Sequence, residues 1–378
     1  MKQTSGSLLL PFLHLLCAAV VIPAPQGMYG VDITEMVLTD TSRLDPFALD
    51  LVNRSVIVSA FHPVALRSEC DWKQVPYMPK QAAAFMDKAS ALPEGTFESF
   101  WMQACSPKRR QSHTRHRSWS NTEIPLVLMS PGGQKSRLHY SLIAQAVASR
   151  GYTVVTIDHP YDAQFVVFPD GDLVTTAVQD PGVEVLVDTR ISDTRFVLDE
   201  LTKPRVVHHL FPGASRDCGP DTNRVAMIGH SLGGITAMLV PAKDSRFIGA
   251  LNMDGWIDLQ SLLQDEIGVP VLLFERIDTH QPYWPKIWPH LLDWKLWLRL
   301  EGSAHDTFTD FPYLVHLLGL EPVSPELAMM IGRVPGDRAL ELISTYVGAF
   351  LDFVLKGKHQ KLLEGSTEKF AEVDYVRS

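Results

Sequence analysis

Val225-Ala226-Met227-Ile228-Gly229-His230-Ser231-Leu232-Gly233-Gly234 is the stretch from which the rest of the chain is read. Four apolar, strand-type residues run into a G-x-S-x-G pentapeptide, and Ile235-Thr236-Ala237-Met238-Leu239 continues with helical character. Strand, sharp turn and helix are the setting of a nucleophile elbow. Such a turn strains the backbone at Ser231, and small residues at 229 and 233 let neighbouring backbone come close. The hydroxyl of Ser231 then stands at a helix N-terminus, above the edge of a sheet. A tight turn with an ordinary capping serine is the competing reading; the runs on both sides of the motif favour the elbow.

The flanking sequence supplies that sheet. Residues 125–129, 152–157, 224–228, 247–253, 270–276 and 295–300 are buried-type strands, the last of them closing the series. Residues 140–150, 188–203 and 338–355 have helical spacing, with Val187, Ile191, Thr194, Leu198 and Leu201 marking the inner face of the second. Alternating strands and helices predict an α/β fold, a mostly parallel central sheet with helices on both faces. In such sheets function sits at the carboxyl ends of strands. Upstream, residues 28–66 read as an entry hairpin with short strands at 36–39 and 55–60. Residues 70–123 read as irregular apart from a helix at 80–90.

The chain has 378 residues, enough for one large α/β domain or two smaller ones. Its 46% apolar and 20% charged content is globular, and a net charge of −9 weighs against nucleic acid as a partner. Lys2 precedes the apolar run 8–22, which is short for a membrane span and is followed by Pro23-Ala24-Pro25-Gln26-Gly27. This reads as a secretory leader, cleaved after Ala19 or Ala24. The expected organisation is a signal peptide (1–24) and one domain (25–378), with an irregular N-terminal region (25–123), a catalytic core (124–355) and a polar tail (356–378).

Of four cysteines Cys17 leaves with the leader, and Cys70, Cys105 and Cys218 remain. Cys70 and Cys105 lie in the same N-terminal region and are the expected disulfide; Cys218 is an alternative partner. Asn53-Arg54-Ser55 is a glycosylation sequon in a secreted chain. The run 108–120 carries five Lys and Arg and two His. A solvated loop is its simplest reading, ahead of anionic-lipid attraction or dibasic processing.

A serine hydroxyl needs a base, and the base an orienting carboxylate. The elbow fold presents them in the order Ser, acid, His. Five histidines follow Asp254. His316 lies in an apolar helical run, His359 in the polar tail, His290 at a helix start and His280 in a polar loop. His305 follows the last core strand through Gly302-Ser303-Ala304, small residues that can carry an imidazole over the strand end. Two acids qualify. Asp254 follows the strand after the elbow in an apolar setting; Asp278 follows the next strand in a charged setting, where Arg276 is a simple ion-pair partner. No His, Cys and carboxylate cluster has metal-ligand spacing.

Three segments carry a family resemblance: GHSLGG around Ser231, NMDGW around Asp254 and GSAHDTFTDF around His305. Together they resemble the platelet-activating-factor acetylhydrolases of the plasma, or type II, family, over residues 30 to 355. The resemblance implies an α/β-hydrolase fold with an N-terminal extension, Ser231, Asp254 and His305 as the catalytic set, and no cofactor or metal. It implies secretion, and hydrolysis of the sn-2 acetyl or other short acyl ester of phospholipids. A general carboxylesterase or cutinase-like polyester hydrolase is the alternative on the same scaffold; a silent binding module is disfavoured by the complete Ser–Asp–His set. One departure stands out. The family's HGxG-like strand end is Ser130-Pro131-Gly132-Gly133 here, with Pro131 replacing the His. By position the oxyanion donors are the backbone N–H groups of Leu232 and Gly133. Finally, Tyr283, Trp284, Trp288, Trp294 and Trp297 crowd the stretch before His305, fitting a lipid interface, an acyl pocket or core packing.

Overall fold

Runs of β-branched and long apolar residues form the centre of the molecule, where alternate side chains of each strand serve opposite layers. On the elbow strand Ala226 and Ile228 enter one core cluster, and Val225 and Met227 the other. The computed structural model describes residues 19–107, 124–176, 181–212, 219–256, 266–277 and 284–377. The basic run 108–120, Cys218, Asp278, His280 and Tyr283 lie outside the described residues.

In chain order the strands are β1 (Val20–Val21), β2 (Tyr29–Leu44), β3 (Asn53–Leu66), β4 (Cys70–Pro76), β5 (Phe100–Pro107), β6 (Ile124–Ser130), β7 (Thr153–Asp158), β8 (Phe165–Val167), β9 (Leu173–Thr175), β10 (Pro220–His230), β11 (Phe247–Met253), β12 (Val271–Arg276), β13 (Lys295–Leu300) and β14 (Val373–Arg377). The helices are α1 (Lys80–Ala89), α2 (Ser141–Ala148), α3 (Val183–Glu200), α4 (Pro204–Leu210), α5 (Leu232–Leu239), α6 (Trp284–Ile287), α7 (Phe311–Leu317), α8 (Pro325–Ile331) and α9 (Gly336–Lys356). Nine strands make the central sheet in the order β14-β13-β12-β11-β10-β6-β7-β3-β2. From β13 to β7 the neighbours are parallel, and β14, β3 and β2 are antiparallel additions. Side chains of α2 and α9 fill the core on one face, those of α3, α4 and α5 on the other. This is the expected doubly covered α/β arrangement.

Three boundaries differ from the sequence expectations. Residues 25–107 carry regular structure: the entry hairpin is the long β2–β3 pair, which joins the central sheet, and β1, β5 and β4 form a second sheet. The pattern of β4 is mostly solvated, which hides a strand from apolar alternation. The fold also begins before residue 25. Val20 and Val21 pair with Phe100 and Trp101, Ile22 N–H donates to Trp101 at 2.8 Å, and Ile22 is 2% exposed. Removal of residues 1–24 would take buried backbone out of the second sheet, whereas a cut after Ala19 spares it. The tail 356–378 is no solvated appendage either, because β14 pairs with β13 and Val373 is buried.

Cys70 and Cys105 are joined by a disulfide across the β4–β5 ladder. Both sulfurs press on Gly30 of β2, where a Cβ would lie 1.8 Å from the Cys70 sulfur. Asn53 is exposed at the start of β3. The tryptophans before His305 are core residues rather than an interface: Trp284, Trp288 and Trp297 are buried, and Trp294 packs on Phe350 and Phe353. The indole N–H groups of Trp284 and Trp297 each donate at 2.7 Å to the buried Glu275 carboxylate.

Candidate active site

The elbow turns at Ser231, which holds φ 54° and ψ −123° between β10 and α5. A non-glycine residue there is strained and persists because its surroundings over-determine it. Ser231 N–H donates to Met253 O at 2.8 Å. A Cβ on Gly229 would lie 2.1 Å from Gly233 O, and one on Gly233 would lie 2.1 Å from Ser130 O. Both glycines are therefore demanded by close backbone approach.

Asp254 directly follows β11 and also has positive φ, 48°. Its turn is clamped by Asn252, whose amide donates to Gly255 O at 2.8 Å while its oxygen accepts Gly255 N–H at 2.7 Å. His305 opens a single 3-10 turn after β13. Lys135 holds that turn by a 2.8 Å ion pair with Asp306.

These three strand ends bring Ser231, His305 and Asp254 into one line. His305 Nδ1 lies 2.5 Å from Asp254 Oδ2, and His305 Nε2 lies 3.0 Å from Ser231 Oγ. A carboxylate only accepts, so Nδ1 donates to Asp254 and Nε2 is left to accept from the serine hydroxyl. The Asp254 side chain is sealed, while that of His305 is about a third exposed and open to a substrate. Arg276, the expected neighbour of Asp278, lies 3.6 Å from Asp254 through Nε and donates its backbone N–H to Asp254 Oδ1 at 3.2 Å. The other histidines stand elsewhere. His316 of α7 meets Glu321, the exposed His359 meets Glu364, and His290 ends a short 3-10 turn rather than starting a helix.

His230, inside the elbow motif, is a residue whose part was not evident from sequence. It is fully buried. Its Nε2 is 3.0 Å from the His305 carbonyl oxygen and its Nδ1 is 2.8 Å from Tyr140 Oη. The carbonyl can only accept, so Nε2 carries the proton and Nδ1 accepts from the tyrosine. Burial, then the neighbouring His305, holds the His230 pKa well below the usual imidazole value, while burial raises that of Tyr140. Tyr140 Oη in turn accepts Gly132 N–H at 2.9 Å. A single chain of hydrogen bonds thus runs from the loop after β6 through Tyr140 and His230 to the backbone of His305. Side-chain ligand atoms of His230, Asp254 and His305 fall within 4.8 Å of one another. Every ring nitrogen among them is already committed to a hydrogen bond, so the set is not arranged to hold a metal.

Behind the loop sits a second Ser–His–Asp series, Ser130 Oγ to His159 Nε2 at 3.0 Å and His159 Nδ1 to Asp193 Oδ2 at 2.9 Å. Arg54 closes on Asp193 at 2.6 Å. Burial opposes the charge on Asp193, but Arg54 and His159 overcome it and hold its pKa low. All four residues are sealed from solvent, so this series is scaffold rather than reaction centre. Arg190 and Asp193 lie on the inner face of α3. Charges on the apolar side of an amphipathic helix were the available signal for them.

A parallel sheet of this topology with an elbow at β10 defines an α/β-hydrolase, and the chain is an ester hydrolase. A ferulic acid esterase from Streptomyces cinnamoneus superposes with a TM-score of 0.77, at 28% identity, over 95% of this chain and 100% of that one. The family model for platelet-activating factor acetylhydrolase, isoform II, matches residues 218–361. A probable 1-alkyl-2-acetylglycerophosphocholine esterase from Arthroderma benhamiae is 31% identical over 95% of this chain and 94% of its own length. Canine platelet-activating factor acetylhydrolase is 21% identical over 91% and 82%. The chain belongs to the platelet-activating factor acetylhydrolase isoform II family.

Proposed function

We propose that this chain is a secreted serine esterase that removes an acetyl or short sn-2 acyl group from phospholipids of the platelet-activating-factor type. The observation that carries the reading is the His305 ring set between Ser231 Oγ and Asp254 Oδ2 in a member of this family. In the reaction Ser231 Oγ attacks the ester carbonyl and His305 Nε2 takes its proton. Asp254 keeps the ring in the reactive tautomer and stabilises the imidazolium. The backbone N–H groups of Leu232 and Gly133 receive the oxyanion. His305 passes its proton to the departing lysophospholipid alkoxide. Water activated by the same nitrogen then releases the acid from Ser231. No metal or cofactor takes part. Secretion rests on the apolar run 8–22 after Lys2, with cleavage at or before Ala19. Among the described residues, no helix is long and apolar enough to cross a membrane.

A second reading, a carboxylesterase acting on soluble esters, draws on the likeness to the ferulic acid esterase. Labelling with a fluorophosphonate and comparing an acetyl phospholipid with short p-nitrophenyl esters separate these readings. A Ser231 adduct with preference for the phospholipid is the expected result. An adduct with activity only on soluble esters selects the second reading, and folded protein without a Ser231 adduct removes both.

A further inference from the structure

The Gly133 donor is useful only if its peptide unit faces Ser231. In a trans peptide the C=O of one residue and the N–H of the next point in opposite directions. The Gly132 carbonyl and the Gly133 N–H share one such unit. That carbonyl accepts from Arg190 Nη2 at 3.1 Å and from Lys135 N–H at 3.1 Å. The preceding unit is held in the same way: Pro131 O accepts from Arg190 Nη1 at 2.5 Å, and Gly132 N–H turns away to Tyr140. Arg190 Nη1 also lies 3.3 Å from Ser130 Oγ, and its Nε meets Asp162 at 2.6 Å. The guanidinium is completely buried, anchored in the middle of α3. A Cβ built on Gly132 would lie 3.3 Å from Ser231 Cβ, so the loop is in contact with the elbow.

We infer that Arg190 is the positioning residue of the oxyanion loop: by drawing the Pro131 and Gly132 carbonyls to the α3 side it turns the Gly133 N–H toward Ser231. The inference rests on Gly133 being the second oxyanion donor. Two successive glycines leave the 132–133 peptide free to rotate, because neither has a Cβ to hinder it. Without Arg190 the unit can flip, placing a carbonyl oxygen where the reaction needs a donor. The planar guanidinium fork suits this task, since it spans two carbonyls and a carboxylate at once. A lysine is a point donor that matches the charge of Asp162 and cannot bridge all three.

The test is Arg190→Lys, with p-nitrophenyl acetate as substrate and a trifluoromethyl ketone that adds to Ser231 as oxyanion probe. The expected result is a loss of about 10²-fold in kcat with KM held within about twofold, and ketone affinity weakened by the same factor as kcat/KM. A lower melting temperature with unchanged kcat and ketone affinity in the folded protein makes Arg190 purely structural and overturns the inference. A second measurement needs no variant. In the unsubstituted protein labelled with [15N]glycine, the Gly133 amide proton moves downfield when the ketone adds; no movement overturns the inference even if Arg190→Lys fails to fold. Ser231→Ala separates the two levels. An active Ser231→Ala removes the esterase site and the inference with it. An inactive Ser231→Ala beside a fully active Arg190→Lys removes only the role of Arg190.

Discussion

Gly233→Ala tests how tightly the elbow is pressed against the loop after β6. The added methyl would lie 2.1 Å from the Ser130 carbonyl oxygen, 2.5 Å from that of Pro131 and 2.6 Å from the Ser130 carbonyl carbon, all of them backbone atoms. Real Cβ contacts stay above 3.0 Å, and no flexible side chain is available to yield. The loop or the first turn of α5 must therefore retreat by about 1 Å, a misplacement that costs on the order of 10²-fold in rate. Overpacking adds a stability loss of about 1–3 kcal/mol. Gly133→Ala is the contrasting substitution. Its nearest neighbours are Leu232 side-chain carbons at 3.6 and 3.7 Å, so its kcat falls by less than about tenfold. Steady-state hydrolysis of p-nitrophenyl acetate, read beside thermal melting by circular dichroism, measures both. A Gly233→Ala protein with the parent's kcat and melting temperature would refute the close approach of Ser130–Pro131 to the elbow.

Tyr140→Phe strands two buried partners, Gly132 N–H and His230 Nδ1, and is expected to lower stability by about 2–4 kcal/mol in denaturant titrations, with a fall in kcat. An unchanged denaturation midpoint would break the proposed hydrogen-bond chain. Asp310 caps α2 by accepting the N–H groups of Leu142 and Ile143, and burial raises its pKa from 3.8 to about 7. The native chain then keeps a proton that the unfolded chain releases. The stability from this group is full below about pH 4 and declines as pH rises through 7. Asp310→Asn should flatten that decline in urea midpoints between about pH 5 and 8, and an unaltered slope would assign it to another group. Replacing both Cys70 and Cys105 by Ser opens a link between residues 35 apart and should cost about 2–4 kcal/mol, measured as a matching loss when the parent is unfolded under reducing conditions.

The elbow was readable because its requirements are local: small residues at 229 and 233 between a strand and a helix. The base was nearly so, because chain order and the Gly302-Ser303-Ala304 lead-in left His305 ahead of four other histidines. The acid was not settled by residues alone, since Asp254 and Asp278 both follow strands. What distinguishes Asp254 is its 2.5 Å approach to His305 across the sheet edge, which no one-dimensional spacing records. The Asn252–Gly255 clamp is the local trace of that turn and went unread. Elements that escaped notice depend on distant partners. β14 meets β13 some seventy residues away, and β1 needs β5. The buried polar scaffold draws Arg54, Ser130, His159 and the α3 pair Arg190 and Asp193 from four separate segments, so its logic exists only once the chain has folded. The tryptophan-rich stretch left three readings open for the opposite reason: aromatic clusters look alike in sequence whether they face lipid or, as Trp284 and Trp297 do here, a buried Glu275.

From 131 to 133 the loop works through its main chain. Arg190 grips carbonyls, Tyr140 takes one N–H, and the donor assigned to the oxyanion is another N–H. At position 131 only the carbonyl is used, and proline, which has no N–H to give, loses nothing there. Position 131 can therefore change residue type and keep these main-chain contacts, provided the fork beneath it stays an arginine. A comparison that scores the loop by residue identity alone would miss the main-chain contacts it makes with Arg190 and Tyr140. If Arg190 positions the loop as inferred, its marker lies some sixty residues downstream, on the hidden face of a helix.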